Sequence, residues 1–121
     1  MKKSIQPSVI SGTIDAPASK SMAQRALAAA LLANGTTRLY KLSSNNDSDA
    51  ATEIIERLGA VVSQEEDYLQ ITSNGIISPN EVNCGEAGLS VRMFTPISSL
   101  ANGTVTLNGE GSLRNRPVDM V

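Results

Sequence analysis

Hydrophobic and polar positions along this chain switch between two periods, and the switches mark an alternation of strands and helices. Val9 to Ala16 carries branched residues between small and polar ones and reads as a strand. Ala26 to Ala33 is nearly all Ala and Leu, so a helix is expected over 20–34, with Asn34-Gly35 as a left-handed exit. A strand over 36–42 follows. Over 48–58, Ala51, Ile54, Ile55 and Leu58 share one helical face opposite Glu53, Glu56 and Arg57, and the helix ends at Gly59. Its cap is read as Asn46 or Ser48, with Asp49 as an acid favoured by the helix dipole. Strands over 60–65 and 68–73 meet at a polar tip, Glu65-Glu66-Asp67, and turn signals at Asn74-Gly75 and Ser78-Pro79-Asn80 close the unit. A second unit begins with a strand over 81–84, a helix near 87–101 and a strand over 104–109.

Pro96 leaves two readings of the third helix. In a helix interior it removes the bond to the Arg92 carbonyl and kinks the segment, at a cost of about 3 kcal/mol. Otherwise Thr95 caps a shorter helix with Pro96 at its first position. In both cases Leu89, Met93, Ile97 and Leu100 fall near one face and read as core.

The second unit echoes the first. Leu32-Ala33-Asn34-Gly35-Thr36 recurs as Leu100-Ala101-Asn102-Gly103-Thr104, each copy lying between a helix with a basic residue (Arg25, Arg92) and a strand. Matching context on both sides of five matching letters points to duplication.

Composition narrows the functional classes. With 121 residues, 40% hydrophobic, the chain is one small domain at most, and its formal charge is −2. Only Tyr40, Tyr68 and Phe94 are aromatic, and the sequence pI is near 5.0, which argues against a nucleic-acid partner. Met1-Lys2-Lys3 is followed by no apolar signal core, and no apolar run approaches membrane-spanning length, so a cytoplasmic protein without a membrane partner is expected. Cys84, alone in the chain, cannot form an internal disulfide and reads as a small buried residue at a strand end, with no base or metal set around it.

The candidate chemistry lies in Pro17-Ala18-Ser19-Lys20-Ser21-Met22-Ala23-Gln24-Arg25, where a strand hands over to a helix. Free backbone N–H groups and the dipole at a helix start favour an anion. Ser21 and Arg25 are four residues apart and share a helical face, so an ammonium, a hydroxyl and a guanidinium can converge on one phosphate or carboxylate. The plainer reading is an ordinary serine cap with solvated cations. A basic first turn works against the dipole, however, and needs a compensating reason.

The Pro-Ala-Ser-Lys-Ser-x-x-x-Arg-Ala-Leu run resembles the N-terminal signature of the enolpyruvylshikimate-phosphate synthase family. Leu32 to Thr37, Ser48-Asp49, Gly88-Leu89-Ser90-Val91-Arg92 and Arg114-Asn115-Arg116-Pro117 agree with that family in the same order. The resemblance runs from about Val9 to Val121 and covers only the first quarter or so of such an enzyme.

That resemblance implies an α/β (α+β) fold built from βαβαββ units of an inside-out α/β barrel, with about one and a half units present. It implies that residues 1–18 form a strand segment contributed to the other lobe. Residues 19–121 would form an incomplete N-terminal lobe, the first unit ending near 78 and the second begun and cut off at 121. The implied reaction transfers the enolpyruvyl group of phosphoenolpyruvate to the 5-hydroxyl of shikimate 3-phosphate through a tetrahedral adduct, releasing phosphate, with no cofactor and no metal. Lys20 would be catalytic and contact both substrates. Ser21 and Arg25 would hold shikimate 3-phosphate, and Gly88 and Arg116 would hold phosphoenolpyruvate, Gly88 by letting backbone N–H groups approach closely. Arg92 is expected to organise its loop, and Arg114 to be a solvated neighbour.

Three departures stand out. Glu86 and Leu89 replace the family's Asn and Thr around the glycine, and an acid beside a phosphoenolpyruvate site repels it unless it points away. Ala50 replaces the second acid of the usual Ser-Asp-Asp run. The chain stops within a helix turn opened by Pro117, before the family's proton-transfer acids, so it is expected to be inactive alone. Unpaired strand edges and uncovered faces of helices 20–34 and 87–101 are expected to drive self-association. Two alternatives are a non-catalytic phosphate-binding or assembly module, and a relative of the UDP-N-acetylglucosamine enolpyruvyl transferases. The latter carry Asn where Ser21 stands and a catalytic Cys in a later loop that Cys84 does not match.

Overall fold

A computed structural model describes residues 1–118. Its first helix, α1 (Lys20–Leu32), begins where Ser19 turns extended and its hydroxyl accepts the Met22 N–H at 3.3 Å. The Ala-rich sequence then runs without a breaker, burying Leu27, Ala28, Ala30 and Leu31. The exit is not left-handed at Asn34. Ala33 is already extended, and the positive φ falls on Gly35, the first residue of strand β1 (Gly35–Tyr40). The repeated Asn-Gly behaves alike, since Gly103 also takes a positive φ.

Helix α2 (Asn46–Arg57) is capped by Asn45, one residue before the expected pair of candidates. The Asn45 Oδ1 accepts the N–H groups of both Asp47 and Ser48, which a cap on Ser48 could not do. Ala51, Ile54, Ile55 and Leu58 are fully buried, as the helical spacing of the sequence requires. Strands β2 (Val61–Gln64) and β3 (Tyr68–Ser73) form a hairpin, and β1 pairs antiparallel with the other edge of β3, giving the order β1-β3-β2. Leu69 and Ile71 point inward against α1 and α2, and the Ser73 hydroxyl donates to the Leu31 carbonyl at 2.6 Å, tying sheet to helix.

The second unit is a β-α-β crossover. Strand β4 (Glu81–Asn83) and strand β5 (Thr106–Asn108) pair in parallel, with helix α3 (Gly88–Ser98) between them in sequence. Pro96 lies inside α3, in its last turn, so the first of the two readings holds. There Thr95 Oγ1 donates to the Val91 carbonyl. The buried residues of α3 are Ser90, Phe94, Ile97 and Ser98, while Leu100 lies beyond the helix and is 64% exposed. After β5 a 3₁₀ turn, Gly111–Asn115, inserts Leu113 into the core. One apolar cluster joins Leu27 and Leu31, Ile54 and Ile55, Ile71, Val82, Phe94 and Leu113.

Two expectations fail at the N-terminus or fall outside the described residues. No strand forms over 9–16, because a strand exists through its hydrogen-bonded neighbour and no described strand pairs with this segment. The helix expected to open at Pro117 would run into residues 119–121, outside the described residues.

Candidate anion-binding site

Three chain segments meet over the N-terminal ends of α1 and α3. Lys20, Ser21 and Gln24 come from α1, Gly88, Leu89 and Arg92 from α3, and Ser112 and Arg116 from the 3₁₀ turn and its exit. Together with Asp47 and Glu86 they line a cavity of about 430 Å³. The crossover brings β5 beside β4, so the loop after β5 must return across the loop after β4. The Cys84 N–H donates to the Asn108 carbonyl and the Glu110 N–H to the Gly85 carbonyl, locking the two loops together.

Lys20 sits in the first turn of α1 with its ammonium 2.8 Å from Asp47 Oδ2. Asp47 in turn occupies the first turn of α2, where the dipole favours an acid. This pair is the compensation that a basic first turn needs. Helix α3 starts without any side-chain cap, so the first N–H groups beyond Ala87 stay available at the cavity wall. A Cβ on Gly88 would lie 3.2 Å from Arg116 Nη1, tighter than most real contacts, so glycine lets the guanidinium lie close over the helix start.

Glu86 is solvent-exposed on the cavity rim. Its carboxylate accepts from the Ser112 N–H at 3.0 Å and from the Ser112 hydroxyl at 2.9 Å, while Arg116 Nη2 donates to that hydroxyl at 3.1 Å. The backbone and then the side-chain hydrogen bond from Ser112, followed by the Arg116 charge, hold its carboxyl below the usual carboxylate range. Gly111 takes a positive φ, and a Cβ there would run into the Glu86 carboxylate. The acid is thus pinned to the 3₁₀ turn.

The structure gathers Lys20, Ser21, Gly88 and Arg116 around one cavity but not Arg25, which is exposed on α1 outside the lining. Arg92 lines the cavity wall and makes no ion pair among the described residues. Arg114 is more than a solvated neighbour: its Nε donates to the Gly109 carbonyl at 2.7 Å, closing the turn. Three cations, Lys20, Arg92 and Arg116, face two carboxylates, Asp47 and Glu86. Cys84 is buried away from the cavity lining, and burial pushes its thiol up to about 11.

A family model described as EPSP synthase (3-phosphoshikimate 1-carboxyvinyltransferase) matches residues 5–121 of this chain. The chain belongs to that family. A 3-phosphoshikimate 1-carboxyvinyltransferase of Chlamydia felis is 36% identical over 117 residues, covering 94% of this chain and 26% of the relative. One of Clostridium beijerinckii is 33% identical, covering 95% of this chain and 28% of the relative. An EPSP synthase structure from Acinetobacter baumannii superposes with a TM-score of 0.79 at 22% identity, over 89% of this chain and 26% of that one, which establishes the fold. The chain therefore has part of the inside-out α/β architecture of the EPSP synthases and spans about a quarter of the length of the relatives it matches. Among the described residues no helix is long and apolar enough to cross a membrane.

Sequence reasoning missed Asp47, Gln24 and Ser112. Gln24 was within reach, since it stands four residues after Lys20 and three after Ser21 on the same helical face. Asp47 lies 27 residues from Lys20, and nothing local announces the pairing.

Proposed function

We propose that this chain supplies one wall of the substrate site of a cytoplasmic 3-phosphoshikimate 1-carboxyvinyltransferase. The observation that carries the reading is the convergence of Lys20, Ser21, Gly88 and Arg116 from separate segments on one cavity. Both substrates are polyanions, so gathering and aiming cations is the first requirement of the chemistry. In the reaction the 5-hydroxyl of shikimate 3-phosphate gives up its proton as its oxygen bonds C2 of phosphoenolpyruvate, and a proton adds to C3. The adduct then loses a proton from C3 as the C2–phosphate oxygen bond breaks and phosphate departs.

In this reading Lys20 touches both substrates and stabilises charge on the reacting group. Ser21 binds shikimate 3-phosphate, and Arg25 joins it only when its exposed side chain turns toward the ligand. The N–H groups at Gly88 and the Arg116 guanidinium receive phosphoenolpyruvate. Asp47 and Glu86 offset two of the three positive charges that line the cavity and tune how strongly it draws anions. Residues 1–18 contribute a strand to a second lobe, and 19–121 belong to the first. The 121-residue chain alone binds anions weakly and does not turn over.

The test is phosphate release that depends on both substrates. The whole product of the gene is expected to release phosphate only when both are present, and the 121-residue chain to release none. Absence of activity in the whole product, with anion binding retained, would favour the non-catalytic phosphate-binding module.

A further inference from the structure

Gln24 is 1% exposed, and its side-chain Oε1 is enclosed without a hydrogen-bond partner among the described residues. An enclosed polar atom left unpaired is costly, so such groups in native proteins are as a rule satisfied by protein, water or ligand. Ser90 and Ser98 also carry enclosed, unpartnered hydroxyls, but neither lines the cavity, whereas Gln24 does, beside Lys20 and Ser21.

We propose that Gln24 is a specificity-determining residue that reads a neutral hydroxyl of the ligand held by Lys20. This rests on the reading that the cavity binds shikimate 3-phosphate. The cations of the cavity are matched to anionic groups, while a carboxamide carries no charge and offers one acceptor and two donors. A hydroxyl can donate a hydrogen bond, so it satisfies the enclosed Oε1. A phosphoryl or carboxylate oxygen only accepts and cannot satisfy the enclosed Oε1. Of the two proposed substrates, shikimate 3-phosphate carries free hydroxyls and phosphoenolpyruvate carries none. Gln24 thus separates the two anions at a site whose charges attract both. A site built to bond a hydroxyl discriminates strongly against a ligand that lacks one, because its own polar group is then left unpaired.

The experiment uses the whole product of the gene as wild type, Gln24→Leu and Gln24→Asn, titrated separately with shikimate 3-phosphate and phosphoenolpyruvate, with melting temperatures recorded without ligand. Leucine removes the polar atoms at similar volume, and asparagine keeps the amide but withdraws it by one methylene. Both variants should weaken shikimate 3-phosphate about five- to tenfold, the effect of one lost hydrogen bond, and leave phosphoenolpyruvate unchanged. Gln24→Leu should melt at or above the wild-type temperature, since it deletes an unpaired buried group. Unchanged affinity for shikimate 3-phosphate, or an equal loss for both ligands with a lower melting temperature, overturns the role of Gln24. A wild type that binds neither substrate overturns the reading of the cavity, and the inference with it.

Discussion

The Lys20 ammonium and the Asp47 carboxylate, 2.8 Å apart, join the first turns of α1 and α2 at the edge of the cavity. Asp47 satisfies two dipoles at once, its own helix start and the unfavourable one created by Lys20. The side chains are 55% and 23% exposed, so solvent screens the pair and its contribution to stability is modest. Asp47→Asn should therefore lower stability by about 0.5–1 kcal/mol. It should also raise affinity for inorganic phosphate, by about two- to fivefold, because a competing negative charge is removed. A thermal melt and a phosphate titration of the variant read both effects.

Glu86 gives a pH signature. Its carboxyl lies below the ordinary range because Ser112 bonds the ionised form through its N–H and hydroxyl, with Arg116 adding to the effect. A group depressed in this way favours folding at every pH above the ordinary carboxylate range, and that contribution disappears as pH falls through the depressed value. Carboxyl-carbon NMR should show Glu86 titrating below the ordinary carboxylate range. Ser112→Ala should move it back toward the ordinary range.

Cys84 should be inert while the chain is folded. Burial raises its thiol to about 11 from an ordinary 9.0, so almost no thiolate exists at neutral pH. Its contribution to stability is complete below the ordinary thiol value and is lost as pH rises from 9.0 toward about 11. At pH 8 a thiol reagent should modify Cys84 only at the rate of unfolding, and at full speed in denaturant.

The 121-residue chain alone should self-associate, with its N-terminal segment adding to the helix faces that its sequence suggests. Helices α1 and α3 bury Leu27 and Phe94 fully, while Met22 and Leu32 of α1 stay 60% and 49% exposed. The most exposed apolar side chains lie in the N-terminal segment, where Ile5, Val9, Ile10 and Ile14 are each at least 90% exposed. Sedimentation at tens of micromolar should show species larger than a monomer, and removal of residues 1–18 should shift them toward monomer.

How much of this was legible beforehand differs by element. Helix α2 could be read because its buried face repeats at helical spacing, and four predicted core residues are all fully enclosed. The Lys20-Ser21 motif, Gly88 and Arg116 could be read through their sequence context, and the fold gathers them although they span nearly 100 residues. The strand over 9–16 could not be settled from its own residues, because branched side chains favour an extended chain while pairing depends on a partner elsewhere. The cap at Asn45 was missed because Asn45, Asn46 and Ser48 are all good caps, and only backbone geometry selects among them. Asp47 beside Lys20 and Ser112 beside Glu86 are tertiary pairings that no local pattern encodes.

The central claim is that Lys20 and Ser21 form part of a site shared by two anionic substrates. Calorimetric titration of the gene's whole product, as wild type, Lys20→Ala and Ser21→Ala, with shikimate 3-phosphate and phosphoenolpyruvate tests it most directly. Charge-assisted contacts contribute about 1.5–3 kcal/mol each, so Lys20→Ala should weaken both ligands by about one to two powers of ten. Ser21→Ala should weaken shikimate 3-phosphate and leave phosphoenolpyruvate nearly unchanged. Unchanged affinities in both variants, with only a lowered melting temperature, would contradict the account and leave Lys20 and Ser21 as parts of a helix start.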